Sequence, residues 1–231
     1  MNDPVRRATL LAVCGLLVAG VAMAGVPDPK NTQCRNAAKG TALDACIQIV
    51  GHDGVVGDTQ GEYCIIVRDF NNVPIQYASV VIDFSNCDTQ LCVDQKDPAV
   101  IVDCISQTVR KLTGANGIAC FRVIGKRRAV DCAARPTPCA EVFTDGVFSC
   151  ALYTAVYDLV NEAGVGVSGN DLSEFLHLFF DCGVYLTAID YNCNRVNDGD
   201  DLSKFLAVYL NAGSALNCDP PKNPQVGPKC P

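Results

Sequence analysis

The chain has 231 residues, 49% hydrophobic and 19% charged, with a formal net charge of −7. This is the composition of one or two globular domains. The acidic balance argues against general nucleic-acid binding, which depends on Lys and Arg neutralising phosphates.

Residues 1–24 read as a signal peptide. Arg6 and Arg7 form a basic n-region, residues 8–21 are apolar, and Ala22 and Ala24 supply small residues at the −3 and −1 positions. Cleavage after Ala24 is expected. The match to a twin-arginine signal is poor, and the apolar run continues past Cys14, against a lipoprotein site. The run is shorter than the roughly twenty apolar residues of a membrane anchor, so no span is expected after cleavage.

Fifteen cysteines occur, and fourteen follow the signal segment. There is no CxxC pair, and His52 and His177 are the only histidines. Zinc frameworks usually carry such pairs, so disulfides are expected. They place the chain in an oxidising compartment: secreted, at the cell surface, or periplasmic. Cys87/Cys92, Cys132/Cys139 and Cys218/Cys230 are close enough in sequence to pair.

A disulfide-rich β domain is expected over 25–150. Residues 42–50 suggest a first strand with Ile47 and Ile49 on one face, followed by a Gly-rich turn at 51–54. Asp53, Asp58 and Glu62 have no spacing that curls around a cation, and read as turn residues. Residues 63–68 and 79–84 are rich in strand formers. In the second stretch Val80, Ile82 and Phe84 share a face. Asn71, Asn72 and Pro74 mark a turn between them. Residues 85–106 read as a long loop pinned by disulfides. A turn at 113–117 leads to a strand at 118–124. Lys126, Arg127 and Arg128 read as a solvated hairpin end, and residues 142–148, broken by Asp145 and Gly146, as a last hairpin. Frequent short strands and turns indicate an antiparallel sandwich.

Val67, Asp69, Asn72 and Pro74, followed by Thr113, Gly117 and Ala119, carry a pattern that resembles bacterial immunoglobulin-like domains of the invasin and intimin type. Asn72 stands where that family usually has Gly, and the cysteines are additions. The resemblance implies an Ig-like β-sandwich serving as a spacer or adhesive module, with no catalytic residues.

An internal repeat lies in 151–213. Residues 168–176, SGNDLSEFL, return as 198–206, DGDDLSKFL. Leu172, Phe175, Leu176 and Phe179 are spaced i, i+3, i+4, i+7, as are Leu202, Phe205, Leu206 and Tyr209. Two short amphipathic helices are expected, each ending near a glycine, Gly183 and Gly213. His177 has no partner at ligand spacing and reads as a surface or packing residue.

The loop before the second helix, 190–201, spells DYNCNRVNDGDD. Asp190, Asn192, Asn194 and Asp198 recur at alternating positions, and Asp201 closes the run. Ca²⁺ takes six to eight hard oxygens from a tightly curled loop of this kind. The loop-and-helix pair resembles a dockerin, the module of two Ca²⁺ loops each ended by an Asp. The resemblance implies Asp190, Asn192, Asn194, Asp198 and Asp201 as side-chain ligands, with the Val196 carbonyl completing the shell. Arg195 stands where such loops have Gly, and Asp200 is the alternative closing residue. The first copy departs further: counting back from Asp171 meets Val160, Glu162, Gly164, Gly166 and Ser168, and Asp158 becomes first ligand only with a two-residue insertion.

Dockerins grip cohesin partners near these helices. Here Gly169, Asn170, Gly199 and Asp200 replace the usual hydroxyl pairs, so an intramolecular partner, the β domain itself, is an equal expectation. No GxSxG or HExxH motif occurs. The sequence therefore predicts a secreted, non-catalytic surface or scaffold protein of mainly β fold with a calcium-stabilised dockerin-like module and a Pro- and Cys-containing tail at 214–231. The alternative is an accessory component of an extracellular polysaccharide-degrading complex, although the chain has no Trp for a sugar-stacking surface.

Overall fold

The computed structural model describes residues 25–36, 45–50, 61–93, 95, 97–128, 132, 137–160, 162 and 166–211. The signal segment, the tail and Gly213 lie outside them, as do residues 51–60 and the Cys218/Cys230 pairing.

The protein is mainly β with two helices. Its strands are β1 (Gln33–Asn36), β2 (Cys46–Val50), β3 (Tyr63–Ile66), β4 (Ser79–Asp83), β5 (Thr89–Leu91), β6 (Ile101–Asp103), β7 (Thr108–Leu112), β8 (Ile118–Phe121), β9 (Val123–Arg127), β10 (Ala140–Thr144) and β11 (Val147–Val156). Helices α1 (Gly169–Phe180) and α2 (Gly199–Leu210) follow, separated by a 3₁₀ turn at Thr187–Ile189.

A three-stranded sheet has the order β1-β3-β8, and an eight-stranded sheet β5-β9-β2-β11-β10-β4-β7-β6. Only Arg122 separates β8 from β9, so one nearly continuous strand joins both sheets and the arrangement approaches a barrel. The eight-stranded sheet is mixed rather than purely antiparallel. Its β2 lies between β11 and β9 and runs parallel to both. Parallel neighbours cannot be joined by a tight hairpin, so long excursions separate these strands in sequence.

Burial explains the strand choice. In β4, Val80 and Ile82 point inward with Phe84 just beyond, as the alternation predicts. Strand β2 is buried throughout: Ile47 and Ile49 enter the core between the strands, while the Gln48 amide donates to the Tyr191 carbonyl on the other side. Strand β9 is buried throughout as well, which corrects the reading of Lys126 and Arg127 as a solvated hairpin end. Both belong to a strand flanked by β5 and β2.

The stretches that carry the Ig-like pattern meet in space. Val67 N–H donates to the Gly117 carbonyl at 2.8 Å. Gly117 has φ +72°, and a Cβ there would lie 2.6 Å from the Val67 carbonyl, so only glycine fits. Thr113 Oγ1 accepts from Ala78 N–H and donates to the Ile75 carbonyl, tying the two turns together. Asn72 takes φ +64° where the family has Gly, a conformation asparagine tolerates. Asp145 and Gly146, both at positive φ, close the β10–β11 hairpin as a two-residue turn.

Disulfides link Cys34–Cys150, Cys46–Cys193, Cys64–Cys120, Cys87–Cys139 and Cys132–Cys182, and Cys92 and Cys104 are also bonded. The short-range expectations Cys87/Cys92 and Cys132/Cys139 are thereby corrected. Neighbours in sequence are separated by strand geometry, whereas Cys64 and Cys120 are directly opposed on β3 and β8. The bonding fits a non-cytoplasmic compartment. Among the described residues, no helix is long and apolar enough to cross a membrane.

Two principal cores result. One fills the strands; the second joins Cys46, Ala155 and Tyr157 from the sheet to Phe175, Leu178, Tyr191, Phe205 and Val208. Strand β11 runs through position 151 and contributes to both. The helix stripe is centred on Phe175/Leu178 and Phe205/Val208, one position round from the predicted centre; Leu172, Leu176, Phe179, Leu202 and Tyr209 flank it half-buried. Phe175 stacks on Phe205 with centroids 4.8 Å apart, and Tyr157 on Tyr191 at 4.2 Å. Such pairs add about 0.5–1.5 kcal/mol beyond area burial. The helical repeat therefore packs on its own sheet, and Cys46–Cys193 fastens it there.

Candidate metal centre

The 3₁₀ turn Thr187–Ile189 delivers Asp190 into a buried position, 2% exposed. From there the chain curls through side-chain-to-backbone hydrogen bonds. Asn192 Oδ1 accepts from Asn194 N–H at 2.9 Å, Asn194 Oδ1 from Val196 N–H at 2.8 Å, and Asp198 Oδ1 from Asp200 N–H at 2.9 Å. Each is a short-range turn that Asn and Asp favour. Asp190 Oδ1 accepts from Asn194 N–H, and its Oδ2 from Arg195 N–H at 2.8 Å and the Tyr185 hydroxyl at 2.7 Å.

The curl needs left-handed backbone at two residues, Cys193 (φ +58°) and Arg195 (φ +68°). Arg195 is the position where a Ca²⁺ loop has Gly, and it adopts the glycine-like angle. Its guanidinium lies over the Tyr153 ring, 5.7 Å from the centroid.

Helix α2 then starts on a capping box. Asp198 is the N-cap, and Asp201 Oδ2 accepts from Asp198 N–H at 3.0 Å. Asp201 Oδ1 reaches back across the loop to Asn192 N–H at 3.1 Å. Asp201 is fully buried, while Asp200 is exposed. The inward geometry thus belongs to Asp201 rather than Asp200. Burial, opposed by the backbone hydrogen bonds and reinforced by the nearby Asp190 charge, pushes the Asp201 carboxyl up to about 6. Burial and then the bond to Asp190 also raise the Tyr185 hydroxyl.

The structure gathers Asp190, Asn192 and Asp201 as buried groups, with Asn194 and Asp198 half-buried beside them. Val196 has an exposed side chain, so its part would fall to the carbonyl. The donor set is entirely oxygen, the chemistry a hard cation requires. A divalent cation would also offset the cost of two neighbouring buried carboxylates. The residues therefore fit Ca²⁺ in kind and in chain curvature. Two partners escaped sequence reasoning: Tyr185, which has no local signal, and the Cys193 disulfide, visible only as a cysteine inside the loop.

The first copy keeps the frame with a different filling. Ser168 is the N-cap of α1, and Asp171 takes the place of Asp201. Its carboxylate accepts from Leu159 N–H at 2.6 Å, Val160 N–H at 2.8 Å, Ser168 N–H at 2.8 Å and the Ser168 hydroxyl at 3.0 Å. Burial nevertheless raises its affinity for a proton. Glu162 caps this corner by accepting from Asn170 and Ser168. Asp158 is fully buried, and its carbonyl accepts from Arg127 N–H.

Among the described residues, three His, Cys, Asp or Glu side chains lie with ligand atoms within 4.8 Å of one another at Cys132/His177/Cys182 and Glu62/Cys64/Cys120, and the loop acids Asp190, Asp198 and Asp201 do not form such a group. In each, the two cysteines are bonded to one another, so no thiolate is available. His177 instead pairs with Asp181 at 2.9 Å on the exposed face of α1.

No family model, curated protein or solved structure matches the chain.

Proposed function

We propose that the protein is a secreted, non-catalytic scaffold or adhesion protein in which Ca²⁺, bound by the 190–201 loop, holds a dockerin-like helix pair against an Ig-like β-sandwich. The observation that carries this reading is the conformation of the loop. Asp190, Asn192 and Asp201 turn inward on a chain curled at Arg195, although left-handed backbone at arginine is unfavourable. The Ig-like assignment is supported by the joined turns at Val67/Gly117 and Thr113/Ala78.

The ion's role is structural. Asp201 belongs both to the loop and to the first turn of α2, so ligation there would stabilise the helix start. A binding role for the sandwich is supported by the 69–77 turn, which presents Phe70 at 83% exposure and Tyr77 at 70% on a hydrogen-bonded frame. Exposed aromatic residues on an ordered surface are typical interface anchors.

Calorimetric titration of the signal-cleaved, disulfide-intact protein with Ca²⁺ tests the reading. One ion per chain, lost in Asp190→Ala, is expected. No heat of binding after prior treatment with EDTA, or binding undiminished in Asp190→Ala, would remove the calcium role.

A further inference from the structure

The connection between β9 and β10 is tied to the end of α1 by Cys132–Cys182. Among the described disulfide cysteines only Cys132 is exposed, and its partner Cys182 is half-buried. A ring nitrogen of His177 and both sulfurs lie within 4.8 Å of one another. His177 is itself half exposed, and its Nδ1 is bonded to Asp181 Oδ2 at 2.9 Å. Thiol–disulfide exchange requires an outside thiolate to reach a disulfide sulfur, so access singles out this pair.

The surroundings also help the bond to break. In exchange one sulfur departs as a thiolate, and it leaves faster when its thiol is more acidic. The C-terminal end of α1 carries partial negative charge, and Glu174 and Asp181 add carboxylates. A thiolate at Cys182 therefore needs a positive neighbour, and His177 supplies it, because a cation beside a cysteine lowers the thiol's affinity for its proton. The Asp181 hydrogen bond, opposed by desolvation and reinforced by the Glu174 charge, raises the imidazole above its ordinary value of about 6.5. More of it is thereby cationic near neutral pH.

We propose that Cys132–Cys182 is a thiol–disulfide exchange site at which an external thiol becomes bonded to Cys132. The external thiolate attacks Cys132 Sγ, the exposed sulfur. The Cys132–Cys182 bond breaks, and its electron pair leaves on Cys182 Sγ beside the His177 imidazolium. One disulfide replaces another, so this step needs no oxidant. A second external thiolate then releases Cys132, leaving the pair reduced and the two external thiols joined as a disulfide. Asp181 is a positioning residue, acting through the His177 ring. The site does not depend on the calcium reading.

The test uses signal-cleaved, disulfide-intact protein whose free thiols are first blocked with iodoacetamide. It is exposed briefly to 2-mercaptoethanol, an uncharged thiol, quenched with N-ethylmaleimide and mapped by peptide mass spectrometry. Mercaptoethanol on Cys132 and maleimide on Cys182 are expected before any other described disulfide opens. His177→Asn, a change on the exposed face of α1, should slow opening about twofold to tenfold near pH 6. The rate per mercaptoethanol thiolate should fall in the wild-type chain as pH rises from about 6 to 8 and His177 loses its proton, and should stay level in His177→Asn. Asp181→Asn should move that fall to lower pH. Absence of opening, earlier opening of another described pair, mercaptoethanol on Cys182 in place of Cys132, or the same falling profile in His177→Asn each overturns the proposal.

Discussion

Arg195 allows the conformation of the loop to be tested without depending on a metal. Its φ of +68° costs an L-residue roughly 1–2 kcal/mol relative to the right-handed region. Arg195→Gly removes that cost but adds roughly 0.5–1 kcal/mol of unfolded-chain entropy. Arg195→Ala keeps the strain and gains nothing. Both variants lose the guanidinium over Tyr153, so that loss cancels between them. The glycine variant should therefore exceed the alanine variant by about 0.5–1 kcal/mol. In a chain of this size each kcal/mol moves Tm by about 2–4 °C. Thermal unfolding followed by helix circular dichroism, with disulfides intact, measures the difference in Ca²⁺ and in EDTA. Equal stability of the two variants, or a more stable alanine, would refute the left-handed turn. Because both variants also remove a positive charge beside the acids, both should bind Ca²⁺ more tightly than the parent chain.

The buried acids predict an inverted pH response. Asp201 is raised to about 6, and Asp171 is raised as well, from an ordinary value of about 4. Their contribution is complete below about pH 4 and is lost as pH rises through the folded values. Metal-free protein should therefore lose stability between about pH 4 and pH 6, and saturating Ca²⁺ should remove the share due to Asp201 while leaving that of Asp171; a metal-free melting curve flat over that window would contradict this. Asp171→Ala should destabilise by about 3 kcal/mol, because four hydrogen bonds to a buried carboxylate disappear. Equilibrium unfolding in urea should show that loss with and without Ca²⁺, unlike that of Asp201→Ala, which should grow when Ca²⁺ is present. Replacing Cys46 and Cys193 together by Ala should cost about 2–4 kcal/mol and weaken Ca²⁺ binding, since Cys193 lies inside the loop. Unchanged calorimetric affinity in that double variant would separate the disulfide from the site.

Much of the helical half was legible because its determinants are local. The capping boxes at Ser168/Asp171 and Asp198/Asp201 use hydrogen bonds spanning three residues, and the turns at Asn192 and Asn194 span two. The alternation of Val80 and Ile82 and the turn at Asp145–Gly146 are equally short-range. In such cases the residues that make the contact stand beside one another in the chain.

The sequence by itself determined the thirty-residue repeat, the curl of acids and amides at 190–201, and the strand-rich first half. Only the tertiary structure decided which of Asp200 and Asp201 faces inward, that Lys126 and Arg127 are buried, and that β2 runs parallel to both neighbours. It also decided the cysteine pairing: the partner of Cys46 is 147 residues away. These features depend on which distant strands pair and which faces they exclude from water. No short stretch of chain carries that choice, because the free energy that settles it belongs to the assembled core.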